Sequence, residues 1–249
     1  MGKLYEGERS DKIAGTTMSI IQSPDVFSYA MDAILLGRFV RVPSELGQML
    51  DLCSGNGVVG LVLSTRTKGH ITLLELQERL HHMAERNILV NQLQSRMTAR
   101  CGDVRSVSAF VKKNGYDVVT CNPPYFPVHQ GEYIKDNRHK ALARHELACT
   151  LQDVIQASCF ALKHGGKLAL VHRPERLFEV MSLMRDNELE PKRIRFCHPH
   201  ANRDANIVLV EAVKGGKAGL QCMPPLVVYE ENGKYTKAFQ KEYLCNLDM

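Results

Sequence analysis

The chain has 249 residues, with 32 Lys and Arg against 27 Asp and Glu, 44% hydrophobic residues and eight cysteines. That make-up suits one substantial α/β domain of an ordinary soluble protein. No window offers the roughly 18 uninterrupted apolar residues of a membrane helix, and the first residues hold no apolar signal core. The cysteines form no Cys-x-x-Cys pair, which argues against a metal site or a disulfide framework and for a cytoplasmic, reducing home. A net charge of +5 permits a nucleic-acid partner without requiring one.

Residues 28–40 read as a helix, with Met31, Ile34, Leu35 and Phe39 on one face and Asp32 off that stripe, where an acid in a first turn suits the helix dipole. After a turn at 43–47, Gln48 to Cys53 reads as a buried strand. Ser54-Gly55-Asn56-Gly57-Val58-Val59-Gly60 follows, then a helix to about residue 65. Its Gly-x-Gly-x-x-Gly spacing between strand and helix allows a ligand close to the backbone at a helix N-terminus. The next strand, 71–75, ends in Glu75, where a carboxylate can grip ribose hydroxyls. A dinucleotide would satisfy the same glycines. However, Asp51 puts a negative charge where a pyrophosphate would be repelled and an ammonium group welcomed.

A helix is expected over 77–91, a strand over 97–101, and a helix over 104–112 capped by Asp103. Tyr116 to Cys121 is a strand of a parallel sheet, so Asn122-Pro123-Pro124-Tyr125 sits at its carboxyl end, where open α/β sheets bind ligands. The prolines stiffen a mount for one carboxamide and one aromatic ring, which suit an exocyclic amine and a planar base. The long polar stretch 126–145 carries Lys135, Arg138, Lys140 and Arg144. His145 and Glu146 then open a helix to 162 and read either as an acid/base pair or as ordinary helix-start chemistry. A strand at 167–171 and a helix at 174–187 precede strands at 190–197 and 205–213. Arg193 and Arg195 alternate about Ile194 and so share one strand face, as phosphate contacts or as a solvated edge. Asn232-Gly233 marks a hairpin in the tail. The chain divides into a helical lead-in (1–45), a Rossmann-like core (46–213) and a tail (214–249) of a single domain.

Asp51-Leu52-Cys53-Ser54-Gly55-Asn56-Gly57 resembles the loop that binds S-adenosylmethionine (SAM) in Rossmann-like methyltransferases. Asn122-Pro123-Pro124-Tyr125 resembles the signature of amino-group methyltransferases. From Ile20-Ile21-Gln22-Ser23 to Pro225-Leu226-Val227-Val228-Tyr229 the chain is similar to the bacterial tRNA1(Val) adenosine-37 N6-methyltransferase family. The resemblance implies a class I fold, a seven-stranded, mostly parallel sheet with one antiparallel strand and helices on both faces. It implies SAM held by Asp51, Cys53, Gly55, Gly57 and Glu75, with Phe27 and Asp32 lining the pocket, Asp103 on the cofactor's adenine and Asn122 where cofactor and substrate meet. Catalysis is expected from Asn122, Pro123, Pro124 and Tyr125. Stacking on Tyr125 would need its ring and not its hydroxyl. The expected partner is tRNA, with Lys135, Arg138, Lys140, Arg144, Arg193 and Arg195 on phosphates. Glutamine methylation of release factors, DNA adenine methylation and an inactive RNA-binding protein are the alternatives.

Overall fold

The computed structural model of the protein describes residues 4–26, 30–125 and 149–244. An antiparallel hairpin of β1 (Arg9–Lys12) and β2 (Ser19–Gln22) opens it, followed by α1 (Met31–Phe39). Alternating units come next: β3 (Gln48–Leu52), α2 (Val58–Ser64), β4 (His70–Glu75), α3 (Glu78–Val90), β5 (Met97–Cys101) and β6 (Tyr116–Cys121). After residue 148 come α4 (Leu151–Ala161), β7 (Leu162–His172), α5 (Leu177–Asp186), β8 (Leu189–His198) and β9 (Ile207–Lys214). Two-residue strands β10 (Gln221–Cys222) and β11 (Leu226–Val227) and helix α6 (Lys237–Tyr243) complete the described chain.

The main sheet runs β5-β4-β3-β6-β7-β9-β8, with β10 and β11 added along β8. Helical crossovers make its left part parallel. The short connection between β8 and β9 permits only an antiparallel pair, and β9 is also antiparallel to β7. Strand alternation sorts the core into two layers. Met49, Ile71, Leu73, Val118 and Val171 face α1, α2 and α3. Leu50, Leu52, Leu74, Val119, Cys121 and Leu170 face α4 and α5. The seven-stranded expectation therefore holds for the main strands, and the two short additions extend it to nine.

Three local expectations differ. The lead-in is a hairpin as well as a helix. It is held to α3 by the bidentate Glu8–Arg86 pair and by Asn87 and Asn91, which accept from the Ile21 and Ser19 backbone N–H groups at 2.7 and 2.8 Å. The helix expected over 104–112 is a 3₁₀ stretch, Val104–Ala109, kinked at Ser106. Two valines and two serines there are poor helix formers, and Asp103 caps it by accepting from Arg105 N–H at 2.9 Å. In the tail, the Asn232-Gly233 turn closes a single Tyr229–Tyr235 bridge, because β11 pairs with β8 instead. Thr236 then caps α6, whose Phe239 is fully buried against the sheet.

The second basic cluster is not a phosphate face. Arg193 is 6% exposed and donates to Glu211 Oε1 at 2.9 Å, while Arg195 holds the Glu242 carboxylate at 2.5 and 2.6 Å. Both charges are spent inside the protein, one joining β8 to β9 and the other fastening α6. Because breaking a buried pair leaves an uncompensated charge, Glu211→Ala should cost about 3–5 kcal/mol in urea unfolding. Pairing Glu211→Leu with Arg193→Met should recover most of that loss. Equal instability of the single and double variants would show that packing, not charge, dominates.

Candidate active site

Strand order reverses between β3 and β6, which pair directly, Asp51 beside Thr120 and Leu52 beside Cys121. At such a switch point the two chains leave the sheet in divergent directions and open a crevice. From β3 the chain enters Cys53–Gly57, and from β6 it enters Asn122–Tyr125. The first loop turns through left-handed backbone at Cys53 (φ 53°), Gly55 (φ 56°) and Gly57 (φ 89°). A Cβ at Gly57 would meet the Leu73 side chain at 2.9 Å, whereas one at Gly55 would meet no protein atom within 4 Å. The empty space beside Gly55 belongs to the cleft. Asn56 is clamped: its side chain donates to Ile21 O at 3.0 Å, and Asn87 donates to its carbonyl at 2.9 Å. The N-terminal hairpin thus fixes the loop through a helix asparagine.

One cleft is lined by Asn122 and Pro124 together with Gly55, Glu75 and Asp103. Leu74, Leu76, Leu80 and Val104 give it an apolar wall. Glu75 is buried, and its two oxygens accept from the Gly55 and Gln77 N–H groups at 2.8 and 2.9 Å. Burial raises its pKa against the pull of those backbone bonds. A carboxylate has about four acceptor sites, so capacity remains for a ligand hydroxyl. The Arg105 guanidinium holds Asp103 below the usual carboxylate range, so it stands ionised at the cleft. An apolar slot between a diol acceptor and a second acceptor suits a nucleoside. Cys53 and Ser54 also line the cleft, and sequence reasoning missed Cys149 on its wall.

Asp51 lies under this loop rather than on the cleft wall. It is fully buried, accepts from Thr120 Oγ1 at 2.7 Å, and its second oxygen has no hydrogen-bond partner among the described residues. Burial pushes its pKa up to about 7, opposed by the Thr120 bond and assisted by the Glu75 charge. An orphaned carboxylate oxygen under a glycine loop is costly unless a cation reaches it.

At the other end, Tyr125 Oη lies 2.5 Å from Asn122 Oδ1 and donates to Asp32 Oδ2 at 2.6 Å. Asp32 Oδ1 accepts from Ala33 N–H at 2.7 Å. Asp32 therefore faces the tetrapeptide and not the cleft, where Ala33 takes the wall. Burial, then the Asp32 charge, hold the Tyr125 hydroxyl well above its ordinary pKa. The tyrosine ring packs on His172 with centroids 5.2 Å apart, a partner the sequence did not suggest. Burial lowers the His172 pKa to about 4, so it is neutral, and its Nδ1 accepts from Arg173 N–H at 2.8 Å. Phe27, Lys135, Arg138, Lys140, Arg144, His145 and Glu146 lie outside the described residues. In the first half of α3, His81, His82 and Glu85 each bring one side-chain nitrogen or oxygen within 4.8 Å of the others, at i,i+3 and i,i+4 spacing.

Comparison with known proteins agrees with this fold. The family model "Methyltransferase small domain" matches residues 17–187. A tRNA1(Val) (adenine(37)-N6)-methyltransferase of Shewanella sp. (strain MR-4) is 28% identical over 211 residues, covering 83% of this chain and 86% of its own. The same-named protein of Aeromonas hydrophila is 27% identical, with coverages of 84% and 85%. Among solved structures, a predicted O-methyltransferase from Agrobacterium tumefaciens overlays with TM-score 0.69 at 24% identity, covering 85% of this chain and 95% of that one. TYW2 of P. horikoshii, in complex with MeSAdo, overlays with TM-score 0.60 at 15% identity, covering 85% and 73%. With the crevice at the β3/β6 switch point and a family model spanning more than half its length, the chain belongs to the methyltransferase small domain family, enzymes that use SAM.

Proposed function

We propose that the protein transfers a methyl group to the exocyclic N6 of an adenosine in tRNA, adenosine 37 of a tRNA-Val being the favoured position. One observation carries this reading: Asn122 and Pro124 line the same cleft as Gly55, Glu75 and Asp103. Cofactor and acceptor amine would therefore meet in one cavity. The names of the relatives in Shewanella and Aeromonas support the choice of substrate. Seven free cysteines among the described residues fit a reducing cytoplasm. Packing of both the N-terminal hairpin and α6 onto the same molecule supports reading residues 1–249 as one methyltransferase domain.

The donor set fits SAM. Glu75 would take the ribose, Asp103 the adenine amine, and Gly55 and Gly57 with Cys53 would let the chain pass close to the ligand. The orphaned oxygen of Asp51 is an acceptor for a cation approaching the loop, and SAM carries an ammonium group. When bound, SAM supplies a methyl group on a positively charged sulfur. The chain's own work is alignment. The Asn122 carboxamide oxygen and the Pro123 carbonyl would accept from the target amine, drawing its lone pair out of conjugation with the base. The Tyr125 ring, backed by His172, would stack on the flipped base, an interaction worth roughly 1–3 kcal/mol. Good orientation can supply about 7–11 kcal/mol, and a methylated amine can lose its proton after attack, so no strong base is required. Lys135, Arg138, Lys140 and Arg144 are the proposed phosphate contacts.

Labelled SAM offered in parallel to bulk tRNA, duplex DNA and release factors tests the substrate. Label should appear as N6-methyladenosine in tRNA, and label confined to release factor would make the protein a glutamine methyltransferase instead. Asn122→Ala should lower kcat by at least about 100-fold with SAM affinity nearly unchanged, since the contact forms on the reacting amine.

Asp51 allows a second test with two readouts. A raised carboxylate pKa means the folded state holds a proton that the unfolded chain has lost, so stability falls as pH rises from about 4 to about 7. Asp51→Asn should remove that slope and melt higher than the wild type at about pH 8. In calorimetry the wild type should bind SAM more tightly as pH rises through about 7, because ligand binding favours the ionised acid, and Asp51→Asn should bind weakly without that dependence. Wild-type SAM affinity in the variant would remove Asp51 from the cofactor site.

A further inference from the structure

Asn122 can do its proposed work only if its oxygen, and not its nitrogen, meets the target amine. An amide's two ends have nearly the same shape, so something else must choose. The contacts of Tyr125 supply the choice. Its hydroxyl has one proton and two oxygens in reach, Asp32 Oδ2 at 2.6 Å and Asn122 Oδ1 at 2.5 Å. A carboxylate is the stronger acceptor, and Asp32 is fixed, buried in the first turn of α1 with its other oxygen on Ala33 N–H. Once the proton goes to Asp32, an Asn122 oxygen at 2.5 Å would face a bare oxygen lone pair. Turning the carboxamide by half a rotation puts Nδ2 there, donating to Tyr125 Oη, and leaves Oδ1 for the cleft that Asn122 lines.

We infer that Asp32 and Tyr125 are positioning residues: a one-way hydrogen-bond chain, Asn122 Nδ2 to Tyr125 Oη to Asp32 Oδ2, holds the Asn122 oxygen towards the acceptor amine. The inference rests on the proposed role of Asn122. It gives the tyrosine hydroxyl a task beyond ring stacking, and it gives Asp32 a task other than contact with SAM. The chain has a direction because the carboxylate can only accept. Phenylalanine at position 125 keeps the ring but removes both the acceptor for Nδ2 and the link to Asp32.

The test measures kcat, KM for tRNA, SAM affinity and melting temperature for Tyr125→Phe, Asp32→Ala, Asp32→Asn, Asn122→Ala and the double variant Asp32→Ala/Tyr125→Phe. Tyr125→Phe and Asp32→Ala should each lower kcat at least about tenfold, with KM, SAM affinity and melting temperature within about twofold or a few degrees of the wild type. The double variant should be no slower than Tyr125→Phe alone, because one chain is broken only once. Asp32→Asn, which keeps an acceptor oxygen, should recover part of the rate lost in Asp32→Ala. A Tyr125→Phe enzyme with wild-type kcat beside a dead Asn122→Ala overturns the positioning chain and leaves the reading of Asn122 standing. A fully active Asn122→Ala overturns that reading and the chain with it. A loss of SAM affinity in Asp32→Ala, with kcat intact at saturation, would return Asp32 to the cofactor and also overturn the chain.

Discussion

The parallel pairing of β3 with β6 is the constraint from which the site follows. Because the two strands are neighbours yet their crossovers wind to opposite sides, the Cys53–Gly57 loop and the Asn122–Tyr125 tetrapeptide emerge side by side. The same pairing sets Asp51 beside Thr120, so the hydrogen bond that Thr120 gives the buried acid is itself a product of register. A slip of one residue would turn Asp51 to the face of Leu50 and Leu52, into the largely apolar layer under α4 and α5. The register thus gives the buried acid a threonine donor that offsets part of its cost.

Around that pairing the fold spends polar contacts on rigidity. Asn56 in the loop is held by β2 and α3 together, and Glu75 gives both oxygens to backbone N–H groups. These bonds leave the loop little freedom to adjust when a ligand arrives, so less ordering has to be done on binding. Cys53 sits at φ 53°, in backbone that suits glycine, and such a residue costs of order 1 kcal/mol. With Asp51 it makes the loop a place where stability is given up for shape and charge.

Much of this was legible in the sequence because it depends on short-range patterns. Short apolar runs marked the strands of the main sheet, and glycine spacing with Glu75 twenty residues on picked out residues that line one cleft. The tetrapeptide announced itself by its two prolines. Contacts between distant segments were not legible. Arg193 and Arg195 look like free cations along a strand, and only the fold brings Glu211 and Glu242 to them. Asp32 is separated from Tyr125 by 93 residues, and no local signal links them. Helix α6 escaped because its stability comes from burying Phe239 against α1 and the sheet rather than from its own seven residues.

Three acids stand at the cleft or beneath its loop, and their environments differ. Asp103 is ionised because Arg105 is clasped to it at the rim. Glu75 is pushed towards neutrality by burial yet kept in place by backbone donors, which suits a group that accepts from hydroxyls without needing full charge. Asp51 is buried under the loop with one oxygen unpartnered among the described residues. That ordering places ready charge at the mouth and latent charge at the floor. In the proposed cofactor site, a cation reaching the unpartnered Asp51 oxygen would make ionisation of that acid favourable. Under the proposed cofactor role, ligand binding would offset the penalty of burying Asp51, so a carboxylate too costly to justify on stability alone would be kept for the ligand and not for the fold.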